Sequence, residues 1–584
     1  MARSAYKPAV TIPATRPPAL THRARVSNPV RRLATLAALL LGACAMPGLR
    51  LDLAATAPLL GGYGQAGFAI HTASAQAQRH FDQGMQQAYA FNEAEAVRQF
   101  KAALAADPSC AMCAWGVAWQ LGPNINAPKR GDLTEALRYA DLARRRAADG
   151  PSRDVALIDA MALRYGQSDG VPLAAPLLAD VCASAGQKRV HPLDLAYAER
   201  LRQLLPRFAG DADLLSLWAE AEMLASASDW WPEGQAADGR ITAVARQLED
   251  ALLRQPAHIG MNHYLIHALD ASPEVQRAVA AADRLGALAP LSPHLVHMPS
   301  HIHVRVGRYA DATAENQRAL ALDDALATEL QAQGFAVSKD WRGHNTRFAW
   351  FAALMEGRGD VALPLARSAA ARAAQATHVW AELARSLPML TLARLERWQA
   401  VLAEPVPTGD GGLADALAGE ARGIALLRLG QPAQAQVLLP RMAAGAAAVA
   451  KANAGTDDGD KMLRGMAQGA VEHLSAEIAL AEGRSSDALA AQDRAVAERK
   501  LADAQEPPML GAAMRLALGD LQARAGQASA AELTYRADLA AWPASGWALR
   551  GLQRALAAQG RQADAAAVAA DLAQQWAGAD PALR

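Results

Sequence analysis

The chain is poor in most of the features that announce a function. Aromatic residues make up only 5% of its 584 residues, and it has four cysteines. So few thiols cannot build a disulfide scaffold. Lys plus Arg and Asp plus Glu are both 58, so the net charge is zero. That balance removes the electrostatic case for nucleic-acid or anionic-membrane binding. No phosphate loop, G-x-G-x-x-G dinucleotide fingerprint or nucleophile elbow occurs. The apolar run Leu33 to Ala45 is too short to cross a bilayer.

What the chain does have is helix-forming material. Apolar residues make up 52% and charged residues 20%, a core-forming composition. Alanine is abundant and β-branched residues are sparse, which predicts an all-α protein. The length calls for several units or a repeat array. Residues 1–75 read as an export segment and linker: a basic stretch, then the apolar run of a signal peptide. The run closes on Leu41-Gly42-Ala43-Cys44, a lipobox pattern with Cys44 as the lipidated residue. Ala73-Ser74-Ala75 is a competing small-residue cleavage site, and Arg31-Arg32 a weaker twin-arginine signal. Export places the protein in the periplasm or on the outer membrane, with a lipid anchor as its one membrane contact.

Repeats organise the rest. Gly84, Ala96, Phe100, Ala103 and Pro108 are spaced like the small and aromatic positions of a 34-residue helix–turn–helix unit, and Gly519, Ala531, Tyr535 and Pro543 repeat that spacing. Gly307-Arg308, Gly357-Arg358, Gly430-Gln431 and Gly483-Arg484 mark tight turns between paired helices. The expected architecture is an α-solenoid in two parts, 76–402 and 413–584, joined by a linker at 403–412. A Trp-rich insertion at Asp229-Trp230-Trp231-Pro232 and another insertion around Trp341 interrupt the first part.

Histidine is the one strong compositional signal. Of 14 in the chain, seven lie between His258 and His303, where an even spread would place about one. His263/His267 and His297/His301 are both i, i+4 pairs, which puts each pair on one helix face. His297 follows His263, and His301 follows His267, by 34 residues each, the repeat period itself. The pairs therefore occupy equivalent positions on the first helices of neighbouring repeats, which lie side by side in a solenoid. Neutral imidazole is a ligand for Zn, Cu, Fe and Ni. Two such pairs can supply one four-nitrogen site or two adjacent half-sites, with Asp270 as a ligand or as a ring-orienting partner. Pro299 interrupts the second pair and either bends the helix or starts a new one. His258, just before its helix, and His303, which points about 200° from His301, fit less well.

The repeat spacings resemble tetratricopeptide repeats. Counted in that frame, the two pairs fall at repeat positions 5 and 9, His294 at position 2 and Asp270 at position 12, positions that the resemblance places on the concave groove. His344 takes position 2 of the next unit after a 16-residue insertion. The blocks His258…His263-Tyr264…His267-Ala268 and His294-Leu-Val-His297-Met-Pro-Ser-His301-Ile302 resemble a group of bacterial tetratricopeptide-repeat proteins. So do Leu121-Gly-Pro-Asn-Ile-Asn126, His344-Asn345, Glu506-Pro507-Pro508 and Gly546-Trp547. Where that likeness leads one to expect a further histidine, this chain has Arg347. The expected metal ligands are His263, His267, His297 and His301, with His294 and Asp270 assisting. His258, His344, Trp230 and Arg305 are groove candidates. The expected metal is Cu, Zn or Fe, and open coordination positions would allow water or oxygen activation. The competing reading is a scaffold that binds a protein or peptide without metal. Cys110-Ala-Met-Cys113 reads as a local disulfide or two thiols, not a redox centre. Glu220 and Glu222 read as solvated.

Overall fold

The computed structural model describes residues 51–584 except 129, 149, 168–189, 227–229, 338–340, 408, 410 and 411. The lipobox at Cys44, the Arg31-Arg32 pair, Cys182 and Asp229 lie outside the described residues. Among the described residues every regular element is a helix, and one isolated bridge, Asn124 to Ala127, is the only β-type pairing. The fold is an all-α solenoid of helix–turn–helix repeats.

The turn signals operate where the spacing puts them. The helices ending at Met355, Arg428 and Ala481 are each followed within two residues by a glycine with φ of 68°, 74° and 77°, for Gly357, Gly430 and Gly483. A side chain there would meet the left-handed penalty of about 1–2 kcal/mol. Polar caps start other helices: Ser74, Asp211, Ser292 and Asp457 each accept a hydrogen bond from a backbone N–H two or three residues on.

Packing within repeats explains the Gly–aromatic spacing. The buried Phe100 ring lies against Gly84 and Gly116, and Tyr535 lies against Gly519 and Gly551 in the same way. A Cβ at any of these glycines would collide with the ring, so the first helices of two consecutive repeats approach one aromatic knob from both sides.

One apolar core runs from Leu60 to Leu330, and a second from Val304 to Leu583. Helices on both sides of residues 403–412 thus share the second core. The C-terminal repeats also dock onto the middle of the chain. The Trp547 and Trp576 indole N–H groups donate to the carbonyls of Leu354 (2.7 Å) and Met355 (2.9 Å), and the Tyr309 hydroxyl donates to the Pro543 carbonyl (2.9 Å).

Residues 58–74 are more than a linker. Leu60, Tyr63 and Ile70 are buried, the Gln99 amide donates to the Pro58 carbonyl, and the Leu291 N–H donates to the Gly62 carbonyl (2.9 Å). Cleavage after Ala75, at the Ala73-Ser74-Ala75 site, would remove this packed strap together with the Ser74 cap of helix Ala75–Tyr89. Cys110 and Cys113 form a disulfide at the start of helix Ala111–Leu121, and both are buried. No helix among the described residues is long and apolar enough to cross a membrane.

Candidate metal centre

Three successive first helices carry the histidines. Helix Ile259–Leu269 holds His263 and His267. The next is split at its proline into Pro293–His297 and Pro299–Arg305, but Met298 between them keeps helical angles (φ −53°, ψ −37°). The axis therefore continues, and His301 still follows His297 on one face. Helix Arg342–Met355 brings His344.

The imidazoles meet in two triads. His263, His267 and His294 form one, and His297, His301 and His344 the other, with the ring nitrogens in each within 4.8 Å of one another. Each triad is an i, i+4 pair from one repeat plus the position-2 histidine of the next. The arrangement is thus two adjacent half-sites, not one four-nitrogen site. The triads adjoin: ring centroids of His267 and His301 are 6.4 Å apart, and those of His294 and His297 are 6.1 Å apart.

Ring orientation is set from outside each triad. His263 Nδ1 lies 2.6 Å from the Tyr89 carbonyl oxygen. A carbonyl only accepts, so Nδ1 carries the proton and Nε2 carries the lone pair. That Nε2 is 3.0 Å from His267 Nε2. In the second triad His297 Nδ1 lies 2.6 Å from Asn316 Oδ1, while Asn316 Nδ2 donates to the Ala312 carbonyl (2.7 Å), which fixes which way the amide points. His297 Nε2 in turn is 3.0 Å from His301 Nε2. Both repeats thus present an Nε2 lone pair to the partner ring, with the other nitrogen tied to an acceptor. This is how metal-bound histidines are usually held.

Apolar rings wall the site. Phe91 lies 4.4 Å from His263, 5.3 Å from His267 and 5.4 Å from His294, centroid to centroid. Trp341 stacks on His294 at 4.2 Å, and Phe348 lies 4.8 Å from His297 and 4.5 Å from His301. Phe91 has φ +52°, a left-handed conformation that costs a non-glycine residue about 1–2 kcal/mol. That turn aims the Tyr89 carbonyl and the Phe91 ring at the histidines together. His263, His267, His294 and His297 are consequently buried, where an open groove was the expectation. Burial, opposed by the Asn316 bond and aided by Arg347, pulls His297 down to about 4, and burial, with His297 and Arg347 adding to it, holds His344 well below the usual histidine range. Arg347 is itself pulled down to about 10 by burial and donates to the Glu506 carbonyl (2.9 Å).

The remaining predicted residues fall in several places. Asp270 Oδ2 and Glu506 Oε1 each stand 3.8 Å from His301 Nδ1, and these three residues form a third metal-capable group. Arg305 sits beside them, donating to the Asp270 carbonyl (3.2 Å), 3.7 Å from Glu506 Oε1 and over the Trp542 ring. His258 is outside the triads: its Nδ1 caps helix Ile259–Leu269 at the Met261 N–H, and its Nε2 faces Asp213 at 3.3 Å. Trp230 donates to the Met223 carbonyl (3.1 Å) and packs against the N-terminal core, while its neighbour Trp231 reaches the Ala268 carbonyl of the histidine helix (2.8 Å). His303 faces Glu315 and Asp283. Glu220 and Glu222 are buried, against the expectation that they are solvated. Trp119 donates to Glu220 (3.1 Å) and Trp218 to Glu222 (3.0 Å), and burial raises Glu220. Phe91, Asn316 and Phe348 carried no signal in the sequence. Glu506 and Trp341 did stand in a resembling motif and an insertion, but nothing there tied them to the histidines.

No protein-family model matches the chain, and no curated protein matches it. Among solved structures, the P58(IPK) TPR domain overlaps 78% of this chain and 99% of its own at 12% identity and a TM-score of 0.19. Yeast Tom70 overlaps 85% and 92% at 13% identity and a TM-score of 0.24. The Cut9–Hcn1 heterotetramer of the APC/C overlaps 82% and 90% at 11% identity and a TM-score of 0.24.

Proposed function

We propose that this is an exported tetratricopeptide-repeat protein of the bacterial type it resembles, and that it holds transition-metal ions in the two histidine triads. The observation that carries the reading is the matched orientation of His263 and His297. In both, Nδ1 is tied to a fixed oxygen acceptor and Nε2 faces the i+4 ring at 3.0 Å, with a third imidazole from the next repeat alongside. Neutral, buried imidazoles suit Cu, Zn or Fe. Three protein nitrogens leave a tetrahedral ion one open position, the pattern of catalytic rather than structural ions. Water or oxygen activation is therefore the class of chemistry proposed.

The test is elemental mass spectrometry on the untagged chain. Stoichiometric Cu, Zn or Fe that falls in His263→Ala and in His297→Ala supports the reading. A folded wild-type chain that acquires no metal on incubation with each ion refutes it.

A metal-free scaffold for a protein or peptide is the second reading. Solenoids do offer extended binding surfaces. The histidines, however, are walled by Phe91, Trp341 and Phe348, so a peptide partner would dock elsewhere on the array. Placement in the cell envelope is supported by the basic and apolar N-terminal run and by the Cys110–Cys113 disulfide, a bond that persists in oxidising compartments.

A further inference from the structure

His301 presents its two nitrogens to two different ligand sets. Nε2 faces His297 Nε2 at 3.0 Å inside the second triad. Nδ1 faces Asp270 Oδ2 and Glu506 Oε1, each at 3.8 Å. Those two spacings are too long for hydrogen bonds. They do suit pairs of ligands around one ion whose bonds are about 2.0–2.2 Å long and set at a wide angle. All three side chains are nearly buried, and each comes from a different part of the chain. Asp270 ends the helix of one repeat, His301 belongs to the next, and Glu506 lies between helices Ser485–Asp503 and Met514–Arg524 of the C-terminal half. The Glu506 segment is pinned over the site from below: Arg347 on the His344 helix donates to the Glu506 backbone carbonyl at 2.9 Å and to the Met509 sulfur at 2.6 Å. Two carboxylates face His301 Nδ1, and the guanidinium groups of Arg305 beside them and of Arg347 under the Glu506 segment bring the local positive charge.

We propose that Asp270, His301 Nδ1 and Glu506 form a second, mixed nitrogen–oxygen metal site that shares the His301 ring with the His297/His301/His344 triad. The two ions are then bridged by one imidazole, which gives up its remaining ring proton to solvent as the second ion binds. This rests on the triad reading above. The oxygen donors make the site one for Zn(II), Fe(II) or Cu(II) rather than Cu(I), which prefers soft ligands. It also gives the C-terminal half a direct part in the centre: without Glu506 the site lacks one of its three ligands.

The test uses the full untagged chain, stripped by chelator and reloaded with Zn(II) alone or Cu(II) alone. Wild type is expected to retain about one more equivalent of zinc than Glu506→Gln or Asp270→Asn. In the copper form, two Cu(II) ions across one imidazolate couple magnetically, so the EPR spin count falls below the total copper in wild type and matches it in Glu506→Gln. Circular dichroism establishes that the variants are folded, and either variant suffices if the other is not. An unchanged zinc count together with an unchanged spin fraction in a folded variant overturns the shared-ring site. If His297→Ala still lowers the metal content in that case, the triad reading survives alone. A wild-type chain that takes up no metal overturns both.

Discussion

Asn316 tests how the second triad is held without touching a ligand. Its Oδ1 is the acceptor for His297 Nδ1 at 2.6 Å, and its own amide is tied to the Ala312 carbonyl. Both residues are fully buried, so no water replaces the lost acceptor in Asn316→Ala, and the other polar atom near Nδ1, the Ser300 hydroxyl at 3.4 Å, is engaged in donating to the His297 carbonyl. Removing such an outer partner of a ligating histidine lowers metal affinity by about 10–100-fold, or roughly 1.4–2.8 kcal/mol. The buried Nδ1–H left behind destabilises the apoprotein by a further ~1–3 kcal/mol. The first triad should not respond. Its matching acceptor is the Tyr89 backbone carbonyl, and the residue 34 positions before Asn316 is Ala282, which has no side chain to serve. Competition against a chromophoric chelator should therefore split one class of site away from the other in Asn316→Ala, with Asn316→Asp restoring most of the loss. Equal affinity for both classes in Asn316→Ala, with the fold intact, would refute the claim that the second triad depends on this tautomer lock.

Three further outcomes follow from the packing and the charges. Gly551→Ala drives a methyl group into the Tyr535 ring, and overpacking of this kind costs about 1–3 kcal/mol, to be read as a lowered midpoint in a thermal melt. Glu477 is buried, which raises its pKa, but the ion pairs with Arg428 and Arg524 win and hold it at about 2. A carboxylate held down in this way adds stability that is complete above its ordinary range near 4.5 and is lost as the pH falls toward 2. With its arginines partly exposed, the contribution is about 2 kcal/mol, and Glu477→Gln should flatten the acid limb of stability against pH. His297 is displaced downward to about 4, so the folded metal-free chain takes up its proton later than the unfolded chain does. Stability from this group is therefore present above pH 6.5 and falls between pH 6.5 and 4, a loss that should shrink in His297→Gln in chemical denaturation followed across that range.

Much of the centre was legible because repeats turn sequence distance into spatial distance. The 34-residue offset placed His263/His267 beside His297/His301, and the position-2 rule brought His294 and His344 to the same faces, with the 16-residue insertion counted out. Pro299 did not spoil the pairing, because a proline at the first turn of a new segment needs no N–H and Met298 keeps helical angles. What stayed hidden is what no spacing rule ties to the histidines. Asn316 stands only 19 residues from His297, on the helix paired with it, but nothing in the sequence marks it, whereas Phe91 and Glu506 come from distant parts of the chain. Phe91, Trp341 and Phe348 close over a groove that the repeat frame alone leaves open. Glu220 and Glu222 are buried because polar partners cover them: Trp119, 101 residues upstream, donates to Glu220, whereas Glu222 is held by Trp218 one turn back on its own helix and by Arg240.

The central claim, two imidazole triads that bind metal, is tested most directly by X-ray absorption at the edge of whichever of Cu, Zn or Fe the untagged chain retains. The account predicts stoichiometric metal with two to three imidazole nitrogens per ion at ~2.0–2.1 Å, three where the triads alone are filled, and the outer-shell scattering of histidine rings. A first shell of oxygen or sulfur without imidazole, or no stoichiometric metal at all, would contradict it.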